Sequence, residues 1–125
     1  MSTEPRMVDV TVIETRIVPI PEPDWCIDPH DGANHFTDLT HNGTPFVAPI
    51  VTAHYGPSQI MTAHVSHAPY LSLRPEPFPV LSVELDWHGD LDVADGRNLS
   101  RALRLAAVRL DRALDDLARL RGDHR

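Results

Sequence analysis

"DVADGRNLSRALRLAAVRLDRALDDLARLRG", residues 92–122, decides the fold. It contains no proline and is filled mostly by Ala, Leu and Arg, all strong helix formers. Asp92 offers an N-cap, Asp95 an acid for the first turn, Arg119 and Arg121 bases for the last turn, and Gly122 a stop. The spacing predicts one long helix over 92–121, with Gly96 as its weak point. Leu99, Leu103, Ala106, Leu110, Ala113, Leu117 and Leu120 recur at alternating steps of four and three, which makes one apolar stripe. That stripe can serve as the helix's half of a core laid across a sheet. It can also form a coiled-coil seam with a second copy, although the length is short for one. The two uses are compatible. Leu105 and Val108 fall instead on the Arg-rich face, near Arg101, Arg104 and Arg112. Those five residues form a candidate interaction surface for a homodimer or another protein.

Working upstream, the helical period gives way to strands. "VLSVELDWH" (80–88) alternates, so Leu81, Val83, Leu85 and Trp87 are expected to face the core. "VTAHYG" (51–56) and "MTAHVS" (61–66) flank "GPSQ", which reads as the turn of a β-hairpin. In that hairpin His54 and His64 could face each other as a pH-responsive pair. His64 and His67, three apart on a strand, point to opposite faces and would not share a metal. "APYLSLRPEPFP" (68–79) is broken by prolines and reads as an edge or loop. "MVDVTVIETRIV" (7–18) alternates with β-branched residues and reads as a strand. The expectation is an α+β domain. A small antiparallel sheet of three or four strands carries one long C-terminal helix on one face.

The chain has 125 residues, which suits a single domain over 1–125. Residues 1–6 are expected to be a flexible N-terminus and 20–45 a Pro/His/Asp-rich loop, entered through the stiff "IPEPD" of 20–24. Twelve prolines lie in the first two thirds, none after Pro79. One cysteine cannot make an intramolecular disulfide, no secretory leader is legible, and no apolar run could span a bilayer. A cytoplasmic protein, with no membrane partner, is therefore expected. All eleven basic residues are Arg, as in a high-GC genome, and the net charge is −7. Residues 97–125 hold eight Arg against four Asp, whereas 1–96 hold three Arg against fourteen acids. The overall acidity argues against nucleic acid as a partner, with the basic tail as the one local exception.

Chemistry is concentrated in "DWCIDPHDGANHFTDLTH" (24–41), which holds the sole cysteine and three of eight histidines. Cys26, His30, His35 and His41 follow C-x3-H-x4-H-x5-H. Thiolate and neutral imidazole suit Zn²⁺, which takes four tetrahedral N or S donors. Asp28, Asp31 and Asp38 could orient the imidazoles. One ion would pin a loop that has few apolar residues to hold it. The competing reading makes Trp25 and Cys26 hydrophobic plugs and leaves His30 and His41 in ordinary hydrogen bonds. A third, a hydrolase built on Cys26, lacks a legible base and oxyanion site. No nucleotide-binding, metalloprotease or nucleophile-elbow motif is present, so no enzyme class and no cofactor other than zinc is indicated.

Trp25, Cys26, His30, Asp38, His41 and Gly43, followed by short strands and an Ala/Leu/Arg helix, resemble a family of small uncharacterised actinobacterial proteins. The likeness covers roughly residues 20–120. It implies an intracellular protein with no assigned activity, and it carries over no catalytic residues. Two functional expectations result. One is a small non-enzymatic interaction, accessory or regulatory protein that self-associates through its helix. The alternative is a zinc-stabilised binding module built on the Cys26/His loop.

Overall fold

The computed structural model describes residues 7, 9, 19–30, 36–71 and 73–122. The flexible N-terminus expected at 1–6 lies outside these residues, and so does all but Met7 and Asp9 of the strand expected over 7–18. The architecture is α+β. A short 3-10 turn (Phe36–Asp38) leads to β1 (His41–Asn42), β2 (Phe46–Thr52), β3 (Gly56–His67), β4 (Val80–Leu85) and α1 (Val93–Arg121). All pairings are antiparallel, and β3 is central. Ser66 pairs with both Asn42 and Val80, and Thr62 with both Val47 and Glu84. β1 and β2 therefore lie end to end along one edge of β3, with β4 along the other. The loop expected over 68–79 connects β3 to β4.

The helix ends are built as the sequence indicates. The Asp92 carboxylate accepts from the Asp95 amide at 2.8 Å, and Gly122 closes the other end at φ 78°. Asp95 does a second task that its position in the first turn does not announce. It is buried and accepts the Ala53 amide at 2.9 Å, tying the helix start to the turn between β2 and β3. The face that meets the sheet is rotated from the leucine stripe. Ala102, Ala106 and Leu117 are buried with Leu99 and Leu110 partly so, whereas Leu103 (53% exposed) and Leu120 lie open. Alanine lets the helix approach the strands closely, and polar anchors on one flank fix its rotation. Asn98 donates to the Val51 carbonyl at 3.2 Å, and the Arg109 guanidinium to that of Val47.

The core gathers Ala48 and Ile50 of β2, Ile60 and Met61 of β3, and Ala102 and Ala106 of α1, with Phe46, Trp87, Leu99 and Leu110 around them. Ile60 and Met61 are adjacent in sequence yet join one core cluster, whereas a regular strand would send them to opposite faces. The register shift opposite Ala48 and Pro49 resolves this, because a β-bulge turns two successive side chains inward.

Two expectations about the sheet are corrected. The hairpin turn is Ala53–Tyr55, not Gly-Pro-Ser-Gln. Gly56 at φ 71° ends the turn, and Pro57 opens β3, where a missing N–H is tolerated. His54 therefore sits in the turn, edge-on to Tyr55, and His64 in mid-strand opposite Ser82, so they form no pair. The second correction concerns β4. Val83 is 43% and Leu85 72% exposed, and only Trp87, beyond the strand end, joins the core. A helix about 10 Å wide covers roughly two strands spaced at about 4.8 Å. Here it covers β2 and β3, and β4 lies past its shoulder.

Candidate metal centre

The Cys/His loop folds onto the end of the sheet away from the helix start. β1 supplies the anchor: the Ile27 amide donates to the Asn42 carbonyl at 2.9 Å, and the Cys26 amide closes a turn on the Pro23 carbonyl at 3.1 Å. Trp25 lies over Gly43 and stands edge-on to the His41 ring. Asp28 shapes the next step. One oxygen accepts the His30 amide at 2.8 Å and the other accepts the Asn42 side-chain amide at 2.9 Å. His30 is the one described non-glycine residue with positive φ, at 61°. A left-handed backbone is costly for a side-chain-bearing residue unless local bonds hold it. The two Asp28 bonds do so, and His64 Nε2 donates to Asn42 Oδ1 at 3.0 Å to complete the support.

The outcome is a convergence of four donors. Glu22, Cys26, His30 and His41 each place one ligand atom within 4.8 Å of the other three. Cys26 Sγ lies 3.6 Å from His30 Nε2, and His41 Nδ1 lies 3.9 Å from Glu22 Oε1. His30 Nε2 also contacts Glu22 Oε1 closely. Tetrahedral zinc bonds of about 2.0–2.3 Å place donors about 3.3–3.8 Å apart, so these spacings are near those of a loaded site. Hydrogen bonding alone accounts for the cluster poorly. A single ring nitrogen makes one directed hydrogen bond, yet His30 Nε2 faces both a thiol and a carboxylate. His41 is only 4% exposed, and its Nδ1 is buried without a hydrogen-bond partner. Such an orphan is rare in folded proteins.

The four clustered groups shift one another's titration. Burial pushes the Cys26 thiol above its ordinary value, and the neighbouring Glu22 adds to this. Burial holds the His41 imidazole below its ordinary value, and its electrostatic interaction with His30 acts the same way. Glu22 is held below the usual carboxylate range by hydrogen bonds from Cys26 and then His30. Asp28 is held low by the His30 amide and then by Asn42.

Of the four ligands expected from the sequence, Cys26, His30 and His41 come together, and His35 lies outside the described residues. Glu22 was missed because it sits in a segment read as a linker. A carboxylate four residues before a candidate Cys was the available signal. Among the expected orienting acids, Asp28 holds backbone and Asn42 instead of an imidazole nitrogen, being 4.0 Å from His30 Nδ1. Asp31 lies outside the described residues, and Asp38 is exposed in the 3-10 turn. His67 is engaged elsewhere, donating to the Glu76 carbonyl at 2.8 Å. The surface residues Arg101, Arg104, Leu105, Val108 and Arg112 are all exposed on α1.

Fold and site define a two-layer α+β domain with a Glu/Cys/His/His cluster against its sheet. The chain belongs to the family described as Domain of unknown function (DUF6907), whose model matches residues 7–119. No curated protein and no solved structure matches the chain. Among the described residues no helix is long and apolar enough to cross a membrane.

Proposed function

We propose that this chain is a zinc-stabilised, non-enzymatic binding module, with Glu22, Cys26, His30 and His41 as the ligands. The observation that carries this reading is the buried, unpartnered Nδ1 of His41, which faces three further donors. Sulfur, two imidazoles and a carboxylate form a donor set that zinc accepts, and four protein ligands leave no open position for substrate. The ion would fasten the 22–30 loop to β1, and the exposed surfaces of the domain would do the binding. Arg101, Arg104, Leu105, Val108 and Arg112 support a protein-binding role for the helix by being exposed together. A thiolate ligand suits a reducing compartment, which supports a cytoplasmic setting. Eleven Arg and no Lys support a high-GC, actinobacterial origin.

Elemental analysis of protein purified without a His tag tests the reading. One zinc per chain is expected, and almost none in Cys26→Ser or His41→Ala. Cobalt in place of zinc should give a thiolate-to-metal charge-transfer band that Cys26→Ser removes. Zinc absent from the wild-type chain, or retained equally by both variants with helical circular dichroism intact, would overturn it.

A further inference from the structure

The two outer edges of the sheet are treated differently. Along β2, Pro49 removes one backbone donor, and Asn98 and Arg109 of α1 occupy the Val51 and Val47 carbonyls. These devices block strand addition. β4 has none of them. It pairs only with β3, and among the described residues no strand lies on its other side. Val80–Leu85 contains no proline, no basic residue and no register shift. Leu81, Val83 and Leu85 stand opposite Val65, Ala63 and Met61, so they share the face that α1 covers further along. The near flank of the helix is also open. Leu103 and Leu114 are exposed on the side opposite the Asn98 and Arg109 anchors, the side from which Arg121 reaches the Pro79 carbonyl at 3.1 Å.

We infer that the outer edge of β4, which no described strand covers, pairs with β4 of a second copy, antiparallel about a two-fold axis at Val83. The sequence of the strand suits this occupant. Leu81-Ser82-Val83-Glu84-Leu85 is palindromic in side-chain type about its centre. In that register Val83 meets its counterpart and Leu81 meets Leu85, so every apolar side chain stays on the helix face. On the other face Ser82 meets Glu84. Centring on Glu84 instead would set two carboxylates directly against each other, which is unfavourable. A two-fold contact of this kind is self-complementary and closed. Because the β2 edges are blocked, assembly stops at two chains. This surface differs from the Leu105/Val108 face of the helix.

Sedimentation equilibrium of the full chain over a wide concentration range is the test, with Ser82 as the probe because it is exposed and outside the core. Ser82→Lys creates two opposite-charge pairs with Glu84 and should tighten the dimer, and Ser82→Glu should weaken it. At about 0.2–1 kcal/mol per cross-strand pair, each change is about two- to thirty-fold in dissociation constant. Val83→Lys places like charges on the axis and should give monomer with an unchanged circular dichroism spectrum. A wild-type chain monomeric at every concentration overturns the proposal and leaves the edge to a segment of the same chain or to a different protein. So does a dimer insensitive to Ser82 and Val83 but broken by Leu105→Glu, or assembly beyond two chains.

Discussion

The helix–sheet contact and the loop–β1 contact are held together by different physics. Under α1, Ala48, Ile50, Ile60, Met61, Ala102 and Ala106 pack without polar atoms between them. Around β1 the contact consists mostly of polar donors and acceptors: Asp28, Asn42, His64 and the cluster of Glu22, Cys26, His30 and His41. Apolar area carries most of the first contact, with Asp95, Asn98 and Arg109 setting the helix's rotation at its margins. The second has Trp25 but little other greasy surface, and it relies on directed bonds, among which His41 Nδ1 is left without a hydrogen-bond partner. In a small domain, a metal can supply at one end what burial supplies at the other.

The sharpest way to break this comparison is to damage one end and watch the other. Met61→Ala should cost about 2–5 kcal/mol of global stability by leaving a cavity at the bulge, seen as a lower thermal midpoint with or without zinc. If the two ends are independent, zinc stoichiometry of the folded variant stays at one. Loss of zinc from a folded Met61→Ala protein would mean that the ends are coupled.

Asn42→Ala strikes the other end without removing a ligand. Asn42 positions the site by bracing Asp28, which in turn holds His30 in its left-handed backbone. Zinc affinity should fall about 10–100-fold, read by competition with a chromophoric chelator, while the thermal midpoint of the metal-free protein moves little. An unchanged affinity would show that the loop reaches its ligand geometry without this brace.

The smallest expected effect is a pH dependence confined to the loop of the metal-free protein. Burial lowers the His41 value in the folded state, so the unfolded chain takes up a proton first as pH falls. The contribution of neutral His41 is whole above the ordinary imidazole value of about 6.5 and is lost as pH drops below it. The protection factor of the Ile27 amide, bonded to β1, should fall below that pH once rates are corrected for the pH dependence of intrinsic exchange, and protection of mid-helix amides should not. A uniform loss of protection would deny the distinction between the two ends.

How far these features are legible in the sequence follows from the range of the forces involved. Periodicity exposes the helix from Asp92 to Gly122 because capping and the 3.6-residue repeat are local. It misjudges the buried face, since Ala102 enters the core while Leu103 stays out, and that rotation is set by Asn98 and Arg109 reaching β2. Alternation identifies β4 as a strand but cannot say that one helix is too narrow to cover it. Cys26, His30 and His41 are visible as donor types, whereas Glu22 is not, because its role depends on a turn that brings it back over Cys26.

By itself, then, the chain's order of residues determined the α+β class, the long capped helix and the donor-rich loop, since each is written in neighbours a few positions apart. Only the tertiary structure decided which helix face is buried, that Ile60 and Met61 both turn inward, that no described strand covers the outer edge of β4, and that Glu22 joins the cluster. Those outcomes depend on contacts between segments far apart in sequence, where packing distance and directed hydrogen bonds override local pattern.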